Sequence, residues 1–295
     1  MMITIDDTNK YKQIVQFGRN LRTAAYKALS PLDYIFRTLN QVGYYPPLHL
    51  RRHVGGMNSG FNGPGYEFAA YLRLLAGLQT GNSLWDFGCG CGMLELALQD
   101  LGWRGRLVGT DIHKPCVEWA KKHIQLGSDI SNFIHADIYN PFYWPKGKLT
   151  TKEWLPIFIE KDFDVVIAKS LFTHILQDEL HTYLKGIADR LKPGGKALLT
   201  FFIHSAENAH YTSSGRNKLS FIPYDKEENC FVRNLHAPTA AVAYSQQYIM
   251  DSLRIAGFDL KETTLHYGTW SGRPDGLSFQ DVIVAGKSLI QQPSA

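Results

Sequence analysis

The stretch Ser83–Met93, SLWDFGCGCGM, constrains this chain most. A short apolar run, Leu84-Trp85, meets an acid, Asp86. Glycines follow at alternate positions, Gly88, Gly90 and Gly92, and a helical pattern then runs from Met93 through Leu94, Leu96, Ala97 and Leu98. Strand, tight turn and helix make the first unit of an open α/β sheet. Glycine is needed where the turn is sharp and the backbone must lie against a ligand that a Cβ would block. The spacing is G-x-G-x-G; the dinucleotide fingerprint would want its last glycine where Met93 stands. Such a loop can also serve helix–strand packing alone, so its neighbours decide. Asp86 before the loop and Asp111 in LVGTDIH sit where an α/β sheet opens its ligand crevice.

With these residues in order, the chain resembles class I S-adenosylmethionine (SAM) dependent methyltransferases. The loop looks like their motif I. Its companions follow: Asp111, Asp137 in FIHADIYN, the strand DFDVVIAKSLFTH, and LKPGG before KALLTFFI. The resemblance covers roughly residues 45–286 and implies a Rossmann-like, doubly wound, seven-stranded and mostly parallel sheet. It further implies SAM as cofactor and S-adenosylhomocysteine as product. Gly88, Cys89, Gly90 and Gly92 would lie along the methionine arm and Asp86 would hold its ammonium. Asp111 would take the ribose hydroxyls and Asp137 the adenine amino group, with Ile112 and Ile138 flanking the ring. Lys169 and Ser170, at the end of the fourth strand, are also expected to bind the cofactor. Each acid could instead be an N-cap or turn residue, which Asp favours.

The rest of the chain is read around that domain. Its 295 residues suffice for one elaborated α/β domain. No run of eighteen apolar residues marks a membrane span. The N-terminus, MMITIDDTNKYK, lacks a signal-peptide layout, and the scattered Cys89, Cys91, Cys116 and Cys230 form neither a disulfide framework nor a metal pattern. The expectation is a reduced, cytoplasmic protein without a metal. A net charge of +4 is too small to predict a nucleic-acid partner.

Residues 1–64 are expected to form a helical extension and a cofactor-covering loop. Within them, residues 8–40 read as helix, from Ile14, Val15, Leu21, Ala24, Ala25 and Leu29, with a basic side of Lys10, Lys12, Arg19, Arg22 and Lys27. This helix would pack on the core or on a second copy of the chain, giving a homodimer; a membrane-surface or nucleic-acid role is the sharper alternative. The Gly, Pro and Asn density of Gly43 to Gly65 rules out regular helix. Similar segments precede motif I in a family of bacterial methyltransferases. That resemblance places Arg51 or Arg52 on the methionine carboxylate and Phe61 against the cofactor; a structural collar is the other reading.

Residues 65–286 form the SAM-binding domain. Tyr66–Leu78 reads as a helix, Arg106–Asp111, Asn132–Ala136, Phe163–Lys169 and Lys196–Ile203 as strands, and Lys114–Gln125 and Asp178–Leu191 as helices. LKPGG should end the last of these through a left-handed glycine exit. Helix Ser245–Ala256 and strands near Phe258–His266 and Gln280–Ala285 complete the sheet. Asn140–Glu160 is an aromatic insertion. His204–Tyr244 is a longer one, expected to cap the substrate pocket, and 287–295 is a polar tail.

Methyl transfer to a hydroxyl needs a base, and imidazole has a suitable pKa. His174, in SLFTH, matches the histidine base of plant small-molecule O-methyltransferases almost residue for residue when counted from LKPGG. His204 is the rival base, and His236 a weaker third. A helix-start histidine bonded to the backbone is the plain alternative for His174. Lys-Ser-Leu-Phe after the fourth strand is not the Asn/Asp-Pro-Pro-Tyr of DNA amine methylation, and Lys169 has the wrong charge for a catechol-type magnesium site. YNPFYWPKG, SLFTH, YGTWSGR and QDVIVAGK recur together in bacterial methyltransferases associated with glycan or natural-product assembly. That closer resemblance implies a small-molecule or saccharide acceptor, with Phe172, Tyr224, His236, Tyr244, Trp270 and Arg273 near it. N-methylation of a small-molecule or peptide amine, and a non-catalytic partner subunit, are the other readings.

Overall fold

The computed structural model describes residues 17–18, 21–54, 61–125, 131–141 and 143–289. Its centre is β1 (Ser83–Phe87), every residue of which is buried. A strand buried on both faces is the mark of a parallel sheet covered by helices. Around it lie β2 (Arg106–Asp111), β3 (Ser131–His135), β4 (Phe163–Ala168), β5 (Leu191–Phe201), β10 (Phe258–His266) and β11 (Asp281–Lys287). The order is β10-β11-β5-β4-β1-β2-β3. Pairs from β3 to β5 are parallel, and β11 is antiparallel to both β5 and β10. This is the Rossmann-like, seven-stranded, mostly parallel sheet expected of a class I methyltransferase. The order reverses between β1 and β4, so a crevice opens at their C-terminal ends.

The packing helices are α3 (Gly63–Leu74), α4 (Met93–Asp100), α5 (Lys114–His123), α6 (Thr151–Ile157), α7 (Gln177–Arg190) and α9 (Gln246–Ala256). Helix α6 gives the aromatic insertion a structure of its own. It starts on a capping box in which Thr150 Oγ1 accepts from the Glu153 N–H and Glu153 Oε2 accepts from the Thr150 N–H.

Two expectations are corrected. LKPGG does not form a glycine exit from α7. Leu191 is already extended after Arg190, and the motif belongs to β5. The register against β4 jumps from Phe163↔Leu191 to Val165↔Lys196, and Gly194 takes its positive φ of 75° within that irregularity. The N-terminal helix is also not continuous. Helix covers 21–28, Leu29 turns, and α1 (Ser30–Leu39) starts afresh with Pro31 in its first turn, where a missing N–H is tolerated. Lys10, Lys12, Ile14, Val15 and Arg19 lie outside the described residues.

The collar between α1 and α3 is not wholly irregular either, since α2 (Leu48–Arg51) runs into a 3₁₀ turn, Arg52–Val54; residues 55–60 lie outside the described residues. One buried carboxylate joins collar to helix. Asp33 Oδ1 accepts from Arg51 Nη2 at 2.6 Å, while Oδ2 accepts from Arg37 Nε at 3.0 Å and the Leu48 N–H at 3.1 Å. Arg37 also donates to the Gly43 and Tyr45 carbonyls.

The long interruption after β5 folds into α8 (Ala206–Ser213) and a second sheet. Its strands are β6 (Ile203–His204), β7 (Ile222–Pro223), β8 (Cys230–Val232) and β9 (Val242–Ser245), ordered β6-β9-β8-β7. A 3₁₀ turn, Pro238–Ala240, lies between β8 and β9.

Removing Asp33 would strand two buried guanidinium groups, so Asp33→Ala should lower the unfolding free energy by about 3 kcal/mol. Urea denaturation reads this. A loss under about 0.5 kcal/mol, the range of an ordinary surface change, would show that the network contributes little.

Candidate functional site

The glycine loop leaves β1 along the C-terminal edge of β2. The Gly88 and Cys89 N–H groups donate to the Thr110 carbonyl at 2.8 and 3.1 Å. Gly90 has a φ of 56°, and a Cβ there would overlap Cγ1 of Val54, the last residue of the collar's 3₁₀ turn. Glycine is therefore what lets the collar close over the loop. Gly92, left-handed at φ 79°, starts α4. Cys89 is buried, its Sγ 3.7 Å from the Gly90 carbonyl.

Asp111 fastens the loop to β2. Its Oδ2 accepts from the Gly90 N–H at 2.8 Å and its Oδ1 from the His113 N–H at 2.7 Å. Burial raises its pKa, and these two donors oppose that rise. Each oxygen keeps a lone pair for a further donor. Asp137, after β3, accepts from Trp144 Nε1 at 3.1 Å. Trp144 stands edge-on to His113 and His135, and His53 stacks on His113 with centroids 4.1 Å apart. Burial, and then Arg52, push the His113 imidazole down to about 4, so it is neutral at pH 7. Ile112 is half-buried and Ile138 is buried.

The structure separates the collar residues by role. Arg51 is spent on Asp33, which removes it from cofactor binding. Phe61 is wholly buried against Tyr45, so the expectation that it meets the cofactor is corrected to a packing role. Arg52 is half-buried, with its guanidinium over the Tyr26 ring and its Nε 3.4 Å from His53 Nε2.

At the crevice floor Asp86 is only 4 % exposed and shares a side-chain hydrogen bond with Glu95. Burial pushes its pKa up to about 7, against the pull of Lys169. Glu95, from α4, is fully buried beside it. Burial and then Asp86 hold its pKa well above the ordinary range, so of the two carboxyls Asp86 ionises first. SAM fits this cradle. A carboxylate at its floor can accept from the ligand's ammonium once ionised, which is the chemistry that end needs. Asp111 and Asp137 add acceptors along the edge of the sheet.

His174 sits in the 3₁₀ turn Phe172–His174 beyond β4. The chain reaches it through Ser170, a non-glycine residue at φ 56°. That conformation is held on three sides. The Ser170 N–H donates to Thr200 Oγ1 at 2.7 Å, Ser170 Oγ donates to Gln280 Oε1 at 3.1 Å, and the Ser170 carbonyl accepts from Thr173 Oγ1 at 3.0 Å. The Nδ1 of His174 lies 3.0 Å from the Thr239 carbonyl, and its Nε2 lies 3.0 Å from the Tyr143 hydroxyl. A carbonyl can only accept, so Nδ1 carries the proton and Nε2 presents its lone pair toward Tyr143. Tyr143 and Trp144 had no role assigned from sequence. The only signal was their place in the recurring YNPFYWPKG.

The other candidates divide. His204 belongs to the second sheet, stacked on Phe231 at 4.1 Å and flanked by Phe221 and Trp270. Its Nε2 is buried without a partner among the described residues, and burial lowers its pKa. None of its described contacts reaches His174. Phe172 is buried against Phe201, and Tyr244 is buried with its hydroxyl donating to the Ile175 carbonyl. Trp270 is 1 % exposed with its Nε1 on Asp281 at 2.6 Å. The substrate roles expected of these three are corrected: they pack the core and leave no face for an acceptor. Tyr224 is exposed and His236 half-buried, while the Arg273 guanidinium lies between the rings of Tyr211 and Tyr267.

Comparison with known proteins agrees with this geometry. Residues 64–239, more than half of the chain, match a family described as methyltransferase domain. The ribosomal protein L11 methyltransferase of Neisseria meningitidis (serogroup C strain FAM18) is 31% identical over 123 residues, 42% of this chain and 33% of that protein. That of Ralstonia nicotianae is 25% identical over 189 residues, 57% of this chain and 54% of its own. The chain thus spans between a third and about half of these curated relatives. An O-methyltransferase candidate from Nostoc punctiforme superposes with a TM-score of 0.52 at 15% identity, covering 82% of this chain and 61% of its own. Protein PH0226 of Pyrococcus horikoshii does so at 0.50 and 17%, covering 78% and 92%; both show the fold. The chain belongs to the methyltransferase-domain family.

Proposed function

We propose that this chain is a SAM-dependent methyltransferase that acts on a hydroxyl of a small molecule or saccharide, with His174 as general base. The carrying observation is the Nδ1 contact with the Thr239 carbonyl, which leaves Nε2 as the proton acceptor. Bound SAM supplies an electrophilic methyl group. The protein holds its polar ends through Asp86, Asp111 and Asp137, and the imidazole takes the acceptor's proton at Nε2. Tyr143, already on Nε2, either yields that place to the acceptor or passes the proton across its own hydroxyl. On this reading the cap residues Tyr224, His236 and Arg273 would choose the acceptor. The resemblance to methyltransferases of glycan or natural-product assembly supports a saccharide-like one.

The relatives named for ribosomal protein L11 favour a second reading, in which the acceptor is part of a polypeptide. An unprotonated amine there needs alignment more than a base. Release of S-adenosylhomocysteine across a panel of hydroxyl and amine acceptors separates the two. With a hydroxyl acceptor, His174→Ala should lower kcat by about a hundredfold or more and leave SAM affinity unchanged. An amine acceptor with a loss of less than about tenfold would discard the base.

A homodimer through α1 is part of this reading. The two charged residues of α1, Asp33 and Arg37, both turn inward. Leu32, Ile35, Phe36 and Leu39 are left facing out. Light scattering should show a dimer that the double variant Leu32→Asp, Ile35→Asp converts to monomer; a monomeric parent would end the proposal.

The Asp86 carboxyl sets a pH dependence. Its pKa of about 7 in the ligand-free protein must fall when a ligand ammonium arrives, so binding expels a proton below that pH. S-adenosylhomocysteine should therefore bind more tightly as pH rises, by up to about tenfold per unit below about pH 7, and level off above. Calorimetry in two buffers should show proton release at about pH 6 that fades by about pH 8. Flat affinity across that window would mean Asp86 does not receive the ammonium.

A further inference from the structure

We propose that Thr200 and Gln280 are positioning residues for His174, acting through Ser170, whose main chain they hold in the conformation that aims the imidazole. The proposal rests on the reading of His174 as base and adds how that base is kept in place.

Ser170 is the joint between the sheet and the turn that carries His174. Strand β4 ends at Ala168, and the 3₁₀ turn Phe172–His174 follows. In between, the chain passes through the left-handed region at Ser170, with φ 56°. A Cβ disfavours that conformation, and glycine is the residue that adopts it freely. A serine there costs stability, so its side chain must serve a purpose that glycine could not.

That purpose is a link to two neighbouring strands. The last pair of the β4–β5 ladder is Ala168↔Leu199. Beyond it Thr200, the next residue of β5 and fully buried, takes up the Ser170 N–H with its side chain, Oγ1 accepting at 2.7 Å. The Ser170 hydroxyl donates to Gln280 Oε1 at 3.1 Å, and Gln280 immediately precedes β11. Strands β5 and β11 are paired, with Thr200 opposite Val282, so both partners stand on the same rigid edge.

The turn beyond Ser170 is tied to itself. The Ser170 carbonyl accepts from Thr173 Oγ1 at 3.0 Å, and the Leu171 carbonyl accepts from the His174 N–H at 3.0 Å. Phe172, buried on Phe201, fastens its apolar side. A rotation at Ser170 is therefore passed on to His174, and the imidazole tolerates little of it. Its Nδ1 must stay on the Thr239 carbonyl, 3.0 Å away on a different segment. A shift of about 1 Å would break that bond and release the tautomer. In the competing account Thr200 and Gln280 only satisfy Ser170 and stabilise the fold, and His174 changes only when stability does.

Nitrogen-15 NMR of ring-labelled histidine reads the tautomer without an acceptor, with the His174 signals assigned by their loss in His174→Gln. The parent should be protonated at Nδ1. Thr200→Val keeps the branched shape and removes the acceptor for the N–H, and Gln280→Leu removes the acceptor for the hydroxyl. Both should show mixed tautomers, whereas Thr200→Ser, which keeps a hydroxyl, should show the parent pattern. Ser170→Gly relieves the left-handed strain and loses the link. Its thermal midpoint should stay within about 2 °C of the parent while its tautomers mix. Thr200→Val and Gln280→Leu should bind S-adenosylhomocysteine within about twofold of the parent. With a hydroxyl acceptor, kcat of Thr200→Val should fall on the order of tenfold to a hundredfold with KM little changed. If Thr200→Val does not fold, Gln280→Leu and Ser170→Gly carry the test. The parent tautomer retained in Thr200→Val or in Ser170→Gly overturns the positioning role. So does a loss of S-adenosylhomocysteine affinity as large as the loss of kcat, which would mark a general collapse of the crevice. A parent protonated at Nε2 overturns the base reading and the positioning with it. Mixed tautomers beside a His174→Ala that keeps its turnover overturn the base reading alone.

Discussion

A single carboxylate holds the cofactor loop in shape. Asp111 carries the Gly90 N–H on one oxygen and the His113 N–H on the other, so loop and second strand end as one rigid unit. Everything at the crevice is placed from there. The collar finds room on Gly90 only because that residue has no side chain. His53 and Trp144 then gather around His113, which burial keeps neutral. The result is a nucleotide-sized edge built from four separate segments and referred to one anchoring side chain.

The fold was largely legible in the sequence because its signals are local. Buried parallel strands read as short apolar runs, and the bounds of β2 and β10 follow from the pattern alone. The misreadings came where geometry is set by distant partners. LKPGG looks like a helix exit, yet Leu191 pairs with Phe163 and draws the motif into β5. The Gly- and Pro-rich collar looks irregular, yet Asp33, fifteen residues upstream, binds the Leu48 N–H and steadies a helical turn.

The site was legible to the extent that its residues stand at strand ends. Asp86, Asp111 and Lys169 stand at or just after strand ends, where an α/β sheet opens its crevice, and His174 stands in the turn beyond β4. Phe172, Tyr244 and Trp270 were misjudged because an aromatic in a loop reads alike whether it lines a pocket or fills a core. The deciding contacts, such as Trp270 Nε1 on Asp281, join residues with no pattern between them. Tyr143 and Glu95 were missed for the opposite reason. One is a tyrosine in an insertion and the other an acid in a helix, and neither looks unusual until the three-dimensional neighbour is known.

The link between Thr239 and His174 bears on how such an enzyme can change its acceptor. Thr239 belongs to the insertion after β5, which lies outside the main sheet. Yet the proton on the imidazole is placed by that insertion's main chain, through a carbonyl that every amino acid possesses. Side chains of the insertion can therefore be exchanged one by one while the hydrogen bond that sets the His174 tautomer is kept. Shortening or re-routing the backbone would remove that carbonyl and free the tautomer. Point substitution and loop replacement are then two different evolutionary routes, and only the first is sure to leave the His174 tautomer as it is.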